Sequence, residues 1–178
     1  VKAKRSANEG GAVRVVVTGG SGRLGRFVVA HLYEQGHDVV SLDVKHPAHA
    51  IAGVRTILGD AAKMEDAFGA VSYVGAEALV HFAAWSDPGL VADSRTFGDN
   101  VAGTFNLLNV CATVGIKRVI VAELMIRRPA NPSLLNGCGL VIVNPPYRLS
   151  ERLAVLLPFL AERLAAGAGS EGRLIALD

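Results

Sequence analysis

The run VRVVVTGGSGRLG at Val13–Gly25 constrains this chain more than any other stretch. Val13, Val15, Val16 and Val17 form a nearly continuous β-branched segment, the pattern of a strand buried on both faces of a parallel sheet. Gly19, Gly22 and Gly25 come next with G-x-x-G-x-x-G spacing, and Leu24, Phe27, Val28, His31 and Leu32 then recur at helical spacing. Strand, tight turn and helix in that order present a helix N-terminus to a phosphate. A side chain at the first glycine would obstruct the turn. One at the second would hold the backbone away from a pyrophosphate, and one at the third would hold the helix off the sheet. The stretch points to a bound dinucleotide, with Gly19, Gly22, Arg23, Leu24 and Gly25 as its loop; a plain βα turn is the alternative.

The order of the remaining elements agrees with a dinucleotide fold. Gly36 ends the first helix, and Asp38–Leu42 makes a second strand closing at Asp43, 43 − 25 = 18 residues past the third glycine. An acidic residue about 20 positions on is placed to accept hydrogen bonds from the adenosine ribose. An Asp would also repel a 2′-phosphate, favouring NAD over NADP, although Lys45 and His46 stand nearby; a solvated Asp after a strand is the simpler reading. Val54–Leu58 is a third strand followed by Gly59-Asp60, with Asp60 a candidate N-cap for a helix around Lys63–Phe68. Glu77–Ala84 is the fourth strand. His81 falls within its apolar run and reads as a satisfied core histidine, and Trp85 either covers the cleft or packs. Asp87–Thr96 reads as a loop or lid before a helix that starts at Asp99-Asn100, with Asn100 as N-cap, and ends at Gly115. Lys117–Ala122 is a fifth strand. Strands alternating with helices predict an α/β fold, a doubly wound parallel sheet in three layers with about six or seven strands.

Composition narrows the class. At 178 residues the chain suits one domain with a sizeable core, and 51% apolar content with mean hydropathy +0.36 indicates a packed globule. Residues 1–12 read as a flexible tail. The formal charge is 18 − 16 = +2, with no basic run beyond Lys2, Lys4 and Arg5, which does not describe a nucleic-acid surface. No window approaches the ~18 apolar residues of a membrane span, so a cytoplasmic protein is expected. Cys111 and Cys138 form no C-x-x-C pair, and Cys111 on an apolar helix face reads as a reduced core thiol.

With Thr18–Gly25 reading T-G-G-x-G-x-L-G, residues 13–122 resemble the cofactor half of the extended short-chain dehydrogenase/reductases, the NAD-dependent epimerase/dehydratase group. Two further motifs agree: His81–Ala84 matches that group's H-x-A-A, and Asn100–Leu108 matches its N-V-x-G-T-x-N-L-L. The resemblance implies an oxidoreductase Rossmann half binding NAD, with a nucleotide-sugar as substrate class. It puts Asp60 with Ala61 against the adenine, Ala83 and Ala84 along the cofactor, and Asn100 beside the active-site helix. The family would continue with a Tyr-x-x-x-Lys pair, the lysine lowering the pKa of a phenol that is near 10 when unperturbed. No lysine occurs beyond Lys117, and Tyr147 has Glu151 four residues on.

Residues 123–177 are similar instead to the C-terminal part of bacterial enzymes that methylate an adenine N6 in large-subunit ribosomal RNA. Leu135–Leu149 carries the N-P-P-Y motif at Asn144–Tyr147. In such enzymes the Asn side chain and a proline carbonyl accept hydrogen bonds from the target amine while the aromatic ring stacks on the base. P-P-Y is also an ordinary strand-to-helix turn. The resemblance implies S-adenosylmethionine and RNA as partners, yet the dehydrogenase loop stands where a methyl-donor loop belongs. The chain thus reads as a chimera joined near residues 122–124. Gly139–Val143, the Leu153–Leu164 stripe and Arg173–Leu177 would add a β-α-β tail to the same sheet, with Pro158 kinking or restarting its helix and Arg127–Asn136 as the link. Three functional readings stand: an NAD-binding protein lacking its acid/base pair, an RNA methyltransferase, and an inactive fusion. An apolar face left at the join would drive homodimerisation or aggregation.

Overall fold

The computed structural model describes residues 11–85, 90–116, 119–128, 137–143, 145 and 148–177, and the chain divides into two compact units between Ile116 and Lys117. The tail 1–10 lies outside the described residues, as do Asn144, Pro146 and Tyr147 of the N-P-P-Y motif and the link residues 129–136.

In the first unit the valine run folds as read. β1 (Arg14–Thr18) has Val15, Val16 and Val17 at most 1% exposed. It lies between β2 (Asp38–Asp43) and β4 (Ala78–His81), with β3 (Arg55–Leu58) beyond β2, in the order β3-β2-β1-β4. All three pairings are parallel: Val16 stands opposite Val40 and Leu79, and Leu42 opposite Ile57. Strands of one direction need crossovers: residues 44–54 join β2 to β3 without a helix, and helices supply the others. α1 (Gly25–Glu34) joins β1 to β2, and α2 (Met64–Phe68), running on into a π-helical turn at Gly69–Tyr73, joins β3 to β4. Gly36 ends α1 at φ +89°, its N–H donating to the Tyr33 carbonyl while the His37 N–H reaches the Leu32 carbonyl, the paired bonds of a Schellman stop. The core is aliphatic: Val29 of α1 packs with Val15, Val17, Val39 and Ala78.

α3 (Asp93–Val114) corrects the expected helix start. Asp93–Thr96 are its first turn rather than part of a loop, and the Arg95 and Thr96 N–H groups both donate to the Ala92 carbonyl. Asp93 is acidic where the helix dipole favours a negative charge, and nothing from Ser94 to Thr96 breaks a helix. Asn100 is therefore an interior residue of α3 and not its N-cap.

The second unit departs from the all-parallel expectation. β5 (Val119–Met125) pairs antiparallel with both β6 (Gly137–Val143) and β7 (Glu171–Leu177). Link length does not decide this: eleven residues, 126–136, join β5 to β6, and eleven, 44–54, join β2 to β3 in parallel. β6 and β7 run the same way on either side of β5, so with α4 (Leu149–Arg163) between them in sequence they form a β-α-β unit built around an antiparallel strand. α4 runs through Pro158 as one helix, without a fresh start. It seats on β7 where Gly172 leaves room: a Cβ there would come within 2.6 Å of the Leu157 carbonyl. Ser170 Oγ shares its one proton between the Ala161 carbonyl and, at 3.0 Å, the Met125 carbonyl, tying the sheet to the end of α4.

Candidate functional site

The carboxyl ends of β1, β2, β3 and β4 open onto one cavity of about 470 Å³ within the first unit. Parallel strands end on the same side, so the residues just past them collect there whatever their distance in sequence. Gly19 and Gly22 line it after β1, Asp43, Val44 and Lys45 at β2, Asp60 and Ala61 after β3, and Ala83, Ala84 and Trp85 after β4. Asn100 and Gly103 of α3 close the far wall.

The glycine loop is seated by backbone contact. Gly19 has φ +70°, a region L side chains rarely adopt, and a Cβ there would lie 2.7 Å from the Ala83 nitrogen and the Phe82 carbonyl carbon. Around an added Cβ at Gly22, only the Gly19 oxygen would be close, at 3.0 Å. A Cβ on Gly25 would collide with the Gly19 oxygen, so this glycine lets α1 seat on the loop itself rather than on the sheet. Arg23 and Leu24 are exposed and, like buried Gly25, do not line the cavity. α1 starts with no side-chain cap.

Asp43 is 7% exposed and grips the loop: its carboxylate accepts the Ser21 N–H at 2.9 Å and the Lys45 N–H at 3.2 Å. It is thus not a loosely solvated residue after a strand. Asp60 does not cap α2, whose N-cap is Lys63 with no side-chain bond. Its carboxylate closes an Asx turn on the Ala62 N–H at 3.0 Å, while its own N–H donates to Asp66 Oδ2 at 2.8 Å.

Behind the rim lies a polar connection that the motifs alone reveal only in part. His81 Nδ1 is 2.6 Å from Thr18 Oγ1 and its Nε2 is 3.2 Å from Thr104 Oγ1, so the histidine is satisfied on both sides. Burial pushes its pKa down to about 4. Thr18 Oγ1 accepts the Ala83 N–H at 3.3 Å, and Thr104 Oγ1 donates to the Asn100 carbonyl at 2.9 Å. Asn100 clamps the Trp85 backbone, accepting its N–H at 2.9 Å and donating to its carbonyl at 3.2 Å. The Trp85 ring lies 5.5 Å from the Arg95 guanidinium and its Nε1–H donates to Asp99 Oδ2 at 2.7 Å. That bond and the Arg95 guanidinium hold the Asp99 carboxyl below the usual range. A helix expected to start only at Asp99 hides the pairing of Arg95 with Asp99; their i,i+4 spacing was the available signal. Cys111 is buried, and burial raises its thiol to about 11, as suits an unreactive core residue. Among the described residues no group of His, Cys, Asp and Glu could hold a metal, and no helix is long and apolar enough to cross a membrane.

A parallel sheet flanked by helices, with a glycine turn at the carboxyl end of its central strand, defines the Rossmann-like α/β class. The model of the NAD dependent epimerase/dehydratase family matches residues 15–123, and the chain belongs to that family. A second family model, ribosomal RNA large subunit methyltransferase D, RlmJ, matches residues 101–174, so the two likenesses meet in one chain and overlap at 101–123. A 3-beta-hydroxysteroid dehydrogenase of Mycolicibacterium neoaurum is 38% identical over 114 residues, 60% of this chain and 31% of that protein. A UDP-glucose 4-epimerase of Streptomyces lividans is 34% identical over 116 residues, 60% of this chain and 34% of that protein. Among solved structures, the UDP-glucose 4-epimerase of Thermus thermophilus in complex with NAD has TM-score 0.53 and 30% identity, over 57% of this chain and 34% of that one. The chain spans about a third of the length of the curated relatives it matches.

Proposed function

We propose that residues 13–122 bind NAD in the cavity, as the cofactor-holding part of an epimerase/dehydratase-type oxidoreductase whose relatives act on nucleotide-sugars and steroids. The observation that carries this is the convergence of Gly19 and Gly22, Asp43, Asp60 with Ala61, Ala83 with Ala84, and Asn100 on one cavity. Gly22, with a single near neighbour, leaves its backbone open to a pyrophosphate, and α1, whose start has no side-chain cap, follows it directly. Asp43 retains lone pairs for the ribose hydroxyls and would repel a 2′-phosphate, so NAD is favoured over NADP. Asp60 and Ala61 face the adenine. NAD would supply a hydride-accepting nicotinamide. No Tyr-x-x-x-Lys occurs in the chain, so these residues bind and orient the dinucleotide without the family's acid/base pair. Calorimetric titration tests the assignment: Asp43→Ala should weaken NAD binding at least tenfold, the equivalent of a charged hydrogen bond of ~1.5–3 kcal/mol. Unchanged affinity would refute the ribose role.

The match of residues 101–174 to the RlmJ model favours a second reading, S-adenosylmethionine-dependent methylation of an RNA adenine through Asn144 and Tyr147. Methyl transfer to ribosomal RNA that disappears in Asn144→Ala would put it first, and binding of neither cofactor would leave an inactive fusion. We further propose a homodimer through α3. From Asn100 to Val114 this helix carries no charged residue, and Phe97, Val101 and Phe105 are 72%, 50% and 64% exposed. Sedimentation should show a pair of chains that Phe105→Glu separates; a monomer at all concentrations would refute it. A cytoplasmic location, where dinucleotides and reduced thiols are both present, belongs to the same reading.

A further inference from the structure

All the contacts around His81 become hydrogen bonds at once when they run in one direction, and that direction assigns the histidine a task. Thr104 has one hydroxyl proton, spent on the Asn100 carbonyl. The contact between Thr104 Oγ1 and His81 Nε2 therefore needs a proton on Nε2. A neutral ring then carries a lone pair on Nδ1, which takes the Thr18 hydroxyl proton, leaving Thr18 Oγ1 to accept the Ala83 N–H. Every donor has one acceptor, in a sequence from Ala83 through Thr18, His81 and Thr104 to Asn100. Asn100 then returns to the chain at Trp85, so the bonds form a closed circuit around Ala83–Trp85, with His81 joining the β1 side to the α3 side.

The enclosed segment is what the glycine loop rests on. The Phe82–Ala83 backbone is the surface that leaves no space for a side chain at Gly19, and the Phe82 N–H also donates to the Thr18 carbonyl at 3.0 Å. A shift of Ala83 would therefore move Gly19 with it. We infer that His81, as its Nε2–H tautomer between Thr18 and Thr104, is a positioning residue that fixes Ala83–Trp85 against Gly19 and so sets the spacing between two walls of the cavity. Its ligand arm rests on the proposal that the cavity takes NAD. Burial, which keeps the ring neutral at ordinary pH, agrees with the assignment.

Nitrogen-15 shifts of the His81 ring in the full chain test the tautomer directly: a protonated Nε2 and a bare Nδ1 are expected, and the opposite tautomer or an equal mixture would overturn the inference. Thr104→Val removes both bonds of that hydroxyl at nearly the same volume, while Thr104→Ser keeps them. The Val variant, assayed below its unfolding midpoint, should bind NAD about tenfold more weakly and shift the Ala83 and Trp85 amide resonances, with the Ser variant within about twofold of the parent. Unchanged NAD affinity in Thr104→Val, or failure of Thr104→Ser to restore it, would show a merely structural histidine. If the parent chain binds no NAD, the cofactor reading fails by itself. The positioning role is then judged on the Ala83 and Trp85 amides, which must move in Thr104→Val and return in Thr104→Ser.

Discussion

The two units use the same local grammar, an apolar strand run into a turn and then a helix, and put it to different ends. In the first, β1, β2, β3 and β4 all run one way, and residues from Gly19 to Gly103 meet where those strands stop. In the second, β5 runs against both neighbours, so residues just past β5 and those just past β6 leave from opposite ends of the sheet. Strand direction, which no single run encodes, decides whether a fold gathers its turns into a site. The first unit should therefore be sensitive in binding where it is sensitive in stability, and the second should lose stability alone.

Gly19→Ala should break the first unit hardest. A positive φ costs an L residue ~1–2 kcal/mol and overpacking against the Ala83 nitrogen and Phe82 carbonyl adds ~1–3, together about 4 kcal/mol, with NAD binding lost as well. Urea unfolding followed by fluorescence of Trp85, the chain's single tryptophan, reads this unit directly. A midpoint within error of the parent would contradict the packing described for the loop. Leu157→Ala is the counterpart in the second unit. Leu157 is 6% exposed and sits against Gly172, and its truncation should cost about 3 kcal/mol. Amide exchange should quicken across β5, β6 and β7 while NAD affinity stays constant. A parallel loss of NAD binding would mean that the units are not separable in the way their chain connections suggest.

What could be read in the sequence was what adjacent residues decide. The valine run, the glycine turn, α1 and its Gly36 stop depend on contacts within a few residues, and each lies where it was expected. So does Asp43, because its spacing from the loop reflects one helix and one strand. Asp60 and Asn100 are candidates on motif grounds, but neither caps a helix: their side chains close a turn on Ala62 and clamp Trp85, the latter a partner that only the fold brings near. Arg95 and Asp99 are hard to single out because a helix start rests on weak local preferences, and α3 begins two turns early. The direction of β5 was not legible at all. A strand's own residues look alike whichever way its neighbours run, and link length does not separate the cases, since eleven residues join β2 to β3 in parallel and β5 to β6 antiparallel.

Acid should separate the units by a smaller margin, and its sign is set by the histidines. All five lie in the first unit, and the second has none. His81 titrates near 4 in the folded chain against 6.5 in the unfolded one. The unfolded state therefore binds more protons between those values, and the stability that His81 contributes, complete above pH 6.5, is lost as pH falls towards 4. At pH 5 this amounts to about 2 kcal/mol, 1.36 for each of roughly 1.5 pH units. His37, lowered by burial and by nearby His31, acts in the same direction. The carboxylates shifted by their partners, Asp99 in the first unit and Glu171 beside Arg173 in the second, are held below their ordinary values, so they lose stability in the same direction but chiefly below pH 5, where the unfolded chain takes up their protons, and add little between pH 7 and pH 5. Urea unfolding at pH 7 and pH 5 should thus show Trp85 fluorescence moving to lower denaturant while amide exchange in β5 and β6, corrected for its intrinsic pH dependence, gives a constant opening energy. His81→Asn should reduce the shift to the part His37 supplies. Equal acid sensitivity in both units would place the protonating groups outside the histidine circuit, and none in the first would mean that the imidazole is less enclosed than its bonds to Thr18 and Thr104 require.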